Sequence, residues 1–233
     1  PYYASSNLDP VSLGGWPVID RQTMGDQRDA FVSRWIHAEW EILGLPSYSV
    51  HTNGTLGPKL EVAFDLAGYY DFACDGLARC IRTVPELAAI VAPGRTCIFV
   101  ITEWRHLSSL TMTLPALGGT LLEQVVLRRS SDEDALIVKR IREVSKPVLS
   151  AKPHELVRLA VLDRRVPGSQ RIRPSAIFSS GDRLYSSYRE FLTSHFRCPV
   201  IDCYVSSEGG VTGVECSRTG VLHIQSDRVL VEV

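Results

Sequence analysis

The sequence predicts an α/β protein, a mostly parallel sheet flanked by helices with a short antiparallel β-element at the C-terminus. Three observations carry that expectation. Apolar strands and amphipathic helices alternate through the middle of the chain at about 25 to 30 residues per unit, the rhythm of parallel strands joined by helical crossovers. The run CIFVIT (97–102) is apolar almost to its end, the mark of a strand buried on both faces. Beyond residue 206 the helices stop, and VTGVEC, VLHIQS and RVLVEV follow one another with only turns between them.

The elements follow in order. Residues 1–45 form an irregular, then helical lead-in. Its first 20 residues are rich in Pro, Gly, Ser and Tyr, and Phe31, Trp35, Ile36, Trp40 and Leu43 then recur at helical spacing. The α/β body spans 46–206. Tyr48–Val50 and LEVAFD (60–65) read as strands, 67–84 as a helix, 97–102 as a strand, and the stretch around 108–117 as a helix. LLEQVVL (121–127) is the next strand. Ser130 and Glu133 form a capping box ahead of Ile137, Ile141 and Val144, which places a helix over 131–145. PVLSA (147–151) is a strand, and Pro153 opens a helix carrying Leu156 and Leu159. SAIFSS (175–180) is a strand, a helix carries Leu184, Tyr188, Phe191 and Leu192 to about His195, and PVIDCYVS (199–206) is the last body strand. Residues 207–233 form the antiparallel β-element.

Composition excludes several classes of function. Of the 233 residues, 45% are hydrophobic and 22% charged, enough to bury a core. The net charge of −1 gives no general field for nucleic acid or an anionic membrane. No apolar run reaches the roughly 18 residues of a membrane span. No signal peptide is visible, although the chain begins at Pro1. The six cysteines (Cys74, Cys80, Cys97, Cys198, Cys203 and Cys216) form no CxxC pair and read as reduced, mostly buried thiols of a cytoplasmic protein.

Four motifs hold chemistry-bearing residues. HTNGTLGPKL (51–60) sets Gly54, Gly57, Thr52, Thr55 and Lys59 between two strands. Glycines let backbone N–H groups turn inward around phosphate, and a lysine adds charge. The same stretch also reads as a hairpin turn. In DCYVSSEGG (202–210), Tyr204 offers a stacking face and Glu208 a carboxylate for a divalent ion, or the segment is a polar strand end turned by Gly209 and Gly210. In IFSSGDRLYSSY (177–188), Ser180 or Asp182 caps the next helix, or Gly181 presses backbone against a flat ligand. Cys203, Cys216 and His223 are three loosely spaced zinc candidates, one short of a structural site. The sequence has no nucleophile elbow G-x-S-x-G, and none of His37, His51, His106, His154 and His195 has a Ser or Cys partner at a recognised spacing.

Taken in order, these segments resemble the large N-terminal domain of the AMP-forming acyl-adenylate superfamily, in particular its phenylacetate-CoA ligase-like branch. TNGTLGPK resembles the family's phosphate loop, S-S-G-T-T-G-x-P-K. KPHELVRLA resembles its P-S-x-x-x-x-L-A segment, SSGDRL its G-G-E-P-L, and CYVSSEGG its Y-G-x-[ST]-E. GVLHIQSDRVLVEV resembles the branch's G-L-H-x-x-E-D hairpin, and SLGGWPVIDRQTM its opening segment, with Arg21 where a lysine usually stands. The resemblance implies ATP-dependent activation of a carboxylic acid as acyl-AMP, with transfer to CoA, a carrier protein or an amine. It implies that Thr52, Asn53, Gly54, Thr55, Gly57 and Lys59 wrap the triphosphate. Ser180, Gly181 and Asp182 would lie against adenine, Tyr204 would stack on it, Ser207 would approach the acyl-phosphate and Glu208 would hold Mg2+. Trp104 and His106 fall where the family lines its acyl pocket, and Cys216 and His223 near a zinc site of some members. A homodimer is compatible with that branch.

The chain also departs from the pattern. The phosphate loop is one residue short, Leu56 replaces a hydroxyl residue, and Val205 stands where the family has glycine. The family's ribose-binding aspartate and its small C-terminal domain with the adenylation lysine find no counterpart before Val233. Two expectations follow: an acid-activating ligase whose lysine comes from a missing domain or a partner chain, or a degenerate, non-catalytic adenylation-like domain that acts as a binding or assembly partner.

Overall fold

The computed structural model of the protein describes residues 19–32, 48–51, 60–65, 68, 72, 76–84, 96–102, 111–114, 119–127 and 131–226. The chain divides into two compact units, Pro1–Ala73 and Cys74–Val233.

In the first unit, α1 (Arg21–Asp26) starts where the Asp20 carboxylate accepts a hydrogen bond from the Thr23 amide at 2.7 Å. It breaks at Gln27, and the short α2 (Arg28–Phe31) follows. The helical spacing of the lead-in beyond Val32 lies outside the described residues. β1 (Tyr48–His51) pairs antiparallel with β2 (Glu61–Phe64), from Tyr48 opposite Phe64 to His51 opposite Glu61. The loop between them therefore joins two strands, as the sequence predicts. Arg28 Nη2 lies 2.7 Å from Glu61 Oε2 and ties α2 to β2.

The second unit opens with α3 (Gly76–Thr83), inside the predicted 67–84 helix. Then come β3 (Cys97–Thr102), β4 (Thr111–Leu114), β5 (Thr120–Val126), α4 (Ser131–Glu143), β6 (Val148–Ala151), α5 (Pro153–Asp163), β7 (Ala176–Ser180), α6 (Ser186–Phe196), β8 (Val200–Ser206), β9 (Gly210–Glu215) and β10 (Leu222–Ile224). Among the described residues they build one eight-stranded sheet in the order β10-β9-β8-β7-β6-β3-β5-β4. The pairs β3–β5, β3–β6, β6–β7 and β7–β8 are parallel, while β4, β9 and β10 join antiparallel. The predicted α/β class, with a mostly parallel sheet and an antiparallel C-terminal element, is the observed one. RVLVEV falls outside the described residues.

One predicted element is of the wrong type. The helix expected around 108–117 is strand β4, paired with β5 from Thr111 opposite Glu123 to Leu114 opposite Thr120. Its residues alternate Thr-Met-Thr-Leu with Thr111 and Thr113 exposed. That is a period of two with β-branched residues on the exposed face, the pattern of a strand and not of the expected helix.

Register explains the core. Phe99, Leu149, Ile177 and Val200 stand side by side on one face of the sheet. There they meet Val138 and Ile141 of α4, Leu156 and Leu159 of α5, and Leu192 and Phe196 of α6. On the other face Ile98, Val148, Phe178 and Ile201 are also buried, the two-sided burial expected of parallel strands. Helix α3 packs on the β8–β9 end of that second face. A Cβ on Gly76 would come within 2.9 Å of Val211, so the glycine permits the close approach of helix and strand.

Candidate functional site

Because β6, β7 and β8 run parallel, their carboxyl ends Ala151, Ser180 and Ser206 lie along one edge of the sheet, the edge at which open α/β sheets bind ligands. Three segments leave from that edge: Lys152–His154, Ser180–Asp182 and Ser206–Gly209.

After β7 the chain turns at Gly181, whose φ of +80° lies in the left-handed region that favours glycine. A Cβ there would meet Lys152 Cγ at 3.4 Å, so the lysine stem already lies against the turn. Asp182 is exposed and its Oδ2 lies 3.4 Å from His154 Nδ1, while His154 Nε2 lies 3.5 Å from Glu155 Oε1. Glu155 is buried in the first turn of α5, 3.7 Å from Arg158, and Arg158 donates to Asp134 of α4. A line of polar contacts thus runs from the Gly181 turn through His154 to Glu155, Arg158 and Asp134 in the helical layer. Neither Ser180 nor Asp182 caps α6, whose N-cap is Tyr185 with no side-chain hydrogen bond.

After β8 the site is more open. Tyr204 is 65% exposed, which leaves a ring face available for stacking. A register shift against β9 follows it, with Tyr204 opposite Gly213 and Val205 opposite Val211. The extra residue, Thr212, donates its hydroxyl to the Tyr204 carbonyl at 3.1 Å, so the bulge is held by a side chain. Ser206 Oγ accepts from the Gly209 amide at 2.9 Å and shapes the turn that carries half-buried Ser207 and exposed Glu208. Glu208 forms no ion pair with another described residue, and an exposed carboxylate is a group able to bind a divalent cation. Val205 is half-buried beside Tyr204.

Just inside this edge the Asp202 amide donates to Glu215 Oε2 at 2.8 Å, and Arg189 of α6 donates to both Glu215 oxygens at 2.9 Å and to the Val200 carbonyl at 2.6 Å. Burial, then the neighbouring Glu215 charge, raises the Asp202 pKa above the usual carboxylate range.

The structure therefore brings Ser180, Gly181 and Asp182 beside Tyr204, Ser207 and Glu208 on neighbouring strand ends. Thr52, Asn53, Gly54, Thr55, Gly57 and Lys59 lie outside the described residues, as do Trp104 and His106. The zinc expectation does not hold among the described residues, where no three His, Cys, Asp or Glu side chains gather closely enough for a metal. Cys203 alternates with Tyr204 along β8 and points to the opposite face, with its sulfur 3.8 Å from Cys80 of α3. Cys216 and His223 sit instead at the β9–β10 turn. There hydrogen bonds from Thr219, His223 and the Arg218 and Thr219 amides lower the Cys216 thiol to about 6. Sequence reasoning passed over Lys152 and His154. Their signal was positional, because they directly follow the carboxyl end of a buried strand.

Solved structures of 2-hydroxyisobutyryl-CoA ligase share this fold. The open conformation in complex with 2-HIB-AMP and CoA is 13% identical over 88% of this chain and 43% of the ligase, with a TM-score of 0.58. The thioesterification state with the same ligands is 15% identical over 88% and 42%, with a TM-score of 0.57. The postadenylation state in complex with 2-HIB-AMP is 13% identical over the same shares, with a TM-score of 0.54. The chain thus spans less than half the length of these ligases. No family model matches the chain, and no curated protein does. What the chain shares with these ligases is the fold.

Proposed function

We propose that this chain is the large-domain part of an AMP-forming ligase of the phenylacetate-CoA ligase-like type. It activates a carboxylic acid with ATP as acyl-AMP and passes the acyl group to CoA, a carrier protein or an amine. The lysine-bearing domain would come from further sequence or a partner chain. The observation that carries this reading is the exposed Tyr204 on β8, followed by Ser207 and Glu208, next to the left-handed Gly181 turn on β7. Shared fold with a ligase crystallised with its acyl-AMP supports it.

In this reading Tyr204 stacks on adenine, and Ser180, Gly181 and Asp182 pack along its edge. Lys152 and His154 hold that turn in place from α5. Glu208 would hold Mg2+, and a divalent ion there would supply positive charge against the phosphates. Ser207 steadies the acyl-phosphate. For Thr52, Asn53, Gly54, Thr55, Gly57 and Lys59 the role of wrapping the triphosphate rests on sequence. Such a site works by holding charge and aligning the acid carboxylate for in-line attack on the α-phosphorus. The activated acid stays open between aryl and small aliphatic classes.

A second reading has specific support. The side chain of Val205, beside Tyr204, and the short loop at 52–59 favour a degenerate domain that binds partners and no longer adenylates. Calorimetry with ATP and Mg2+ separates the two. Binding that weakens at least tenfold in both Lys59→Ala and Glu208→Ala supports the ligase. Absence of heat at millimolar ATP supports the degenerate domain.

A further inference from the structure

We propose that Cys80 and Cys203 form an oxidation site, a thiol pair that closes to an intramolecular disulfide under a peroxide or another two-electron thiol oxidant. The two sulfurs stand 3.8 Å apart although the residues are 123 positions apart in the chain. Both side chains are buried, Cys80 at 2% and Cys203 at 4% exposure. They come from different elements, α3 and β8, and the close approach of Gly76 on α3 to Val211 on β9, the strand paired with β8, seats the helix over this part of the sheet. A disulfide needs the sulfurs at about 2.05 Å, so closure is a shift of a little under 2 Å, within reach of side-chain rotation and a small helix movement. Cys97 and Cys198 are buried as well, and burial pushes their thiols up to about 11 and about 12, yet no second sulfur lies beside either among the described residues.

The chemistry balances. One thiolate attacks the peroxide O–O bond, forming a sulfenic acid and releasing water. The second thiolate attacks that sulfur, the S–O bond breaks, and a second water leaves. The two thiols lose two protons and two electrons in all, the protons going to the two departing hydroxides, and the peroxide becomes two waters. Contact with Cys80, burial and neighbouring acidic charge hold the Cys203 thiol well above its ordinary range. The closed form is therefore slow to react, and oxidation proceeds when α3 lifts from the sheet. Once formed, the link pins α3 to the strand that carries Tyr204. A consequence for nucleotide binding rests on the proposed function, whereas the link itself does not.

The test uses the full chain with Cys216→Ser, which removes the most reactive described thiol. The protein is incubated with hydrogen peroxide, capped with N-ethylmaleimide and digested without reductant for mass spectrometry. The expected product joins the Cys80 and Cys203 peptides, two hydrogens lighter than their sum. The thermal midpoint should rise by about 5 °C or more, because a long loop is closed, and dithiothreitol should reverse the change. Cys80→Ala and Cys203→Ala should each abolish both effects. Recovery of Cys80 and Cys203 as maleimide adducts after prolonged oxidation would overturn the proposal, as would a link from either to Cys97 or Cys198. Should an alanine variant fail to fold, the mass map of the Cys216→Ser chain decides alone.

Discussion

His195 and His223 occupy opposite environments within the second unit. His195 lies buried at the end of α6, with Nε2 3.0 Å from the fully buried Asp163. Asp163 also accepts from Arg142 Nε at 2.9 Å and from the Ile172 amide at 3.2 Å, so one carboxylate joins α4, α5, α6 and the loop before β7. His223 stands exposed on the edge strand β10, near Cys216. Burial dominates the first site and lowers the His195 pKa despite the adjacent carboxylate. Hydrogen bonds dominate the second, where solvent already pays much of the cost of charge and a thiolate becomes accessible. The helix-covered face spends its polar groups on one another, whereas Tyr204 and Glu208 at the carboxyl end of β8 stand exposed and Cys216 lies half-buried at the far end of β9.

Removing the hub of the sealed region should have the largest effect. Asp163→Ala leaves Arg142, His195 and the Ile172 amide without their shared acceptor. A loss of about 3 to 5 kcal/mol is expected, read from the urea midpoint at neutral pH. A loss below about 1 kcal/mol would mean that the buried network is not the tie between helices. At the exposed end of β8, Tyr204→Ala should change stability by less than about 0.5 kcal/mol while abolishing ATP binding if the proposed stacking role holds. Equal losses of stability from the two variants would erase the contrast between the regions.

The pH dependence sharpens the same contrast by a smaller amount. A histidine whose folded pKa lies below its unfolded value near 6.5 stabilises the fold above that value and loses the contribution as pH falls toward the folded value. The urea midpoint should therefore drop between about pH 7 and pH 5, with a slope of up to about 1.4 kcal/mol per pH unit from this group. His195→Gln should flatten that limb, and His223→Gln should leave it unchanged. An identical acid limb in the wild type and His195→Gln would remove His195 as its source.

Much of the fold was legible because burial writes itself into the sequence. CIFVIT is apolar for the plain reason that both faces of β3 are covered, and β8 is apolar where it is likewise buried, at Val200 and Ile201. The β4 segment was misread because a four-residue strand is too short for its period of two, Thr-Met-Thr-Leu, to stand out, and only pairing with β5 decides. At the site, the SGD and YVSSE motifs were legible because turn glycines and strand-end polar residues have local signatures. The line of polar contacts from Asp182 through His154 and Glu155 was not, since it forms only when β6 and β7 pair in parallel and bring α5 beside the turn. The zinc grouping failed for the same kind of reason. Neighbours in sequence, Cys203 and Cys216, are sent to a buried face and to a hairpin turn, while Cys80 arrives from across the chain.

Cys216 gives the gentlest test, because modifying it should scarcely touch stability. Its thiol, lowered to about 6, should be mostly thiolate at neutral pH. Iodoacetamide labelling at Cys216, followed by peptide mass spectrometry, should rise with pH through about 6 and level off near pH 7. Cys97 and Cys198, pushed up to about 11 and about 12, should stay unlabelled in the folded chain across that range. Thr219 and His223 supply the first two causes of the shift. His223→Ala should therefore move the labelling curve toward the ordinary thiol range and slow the reaction several-fold at pH 6, with Thr219→Val acting in the same direction. A Cys216 curve centred above pH 8 in the wild type would mean that the turn does not hold the thiolate, and the β9–β10 turn would then differ from the sealed region in exposure alone.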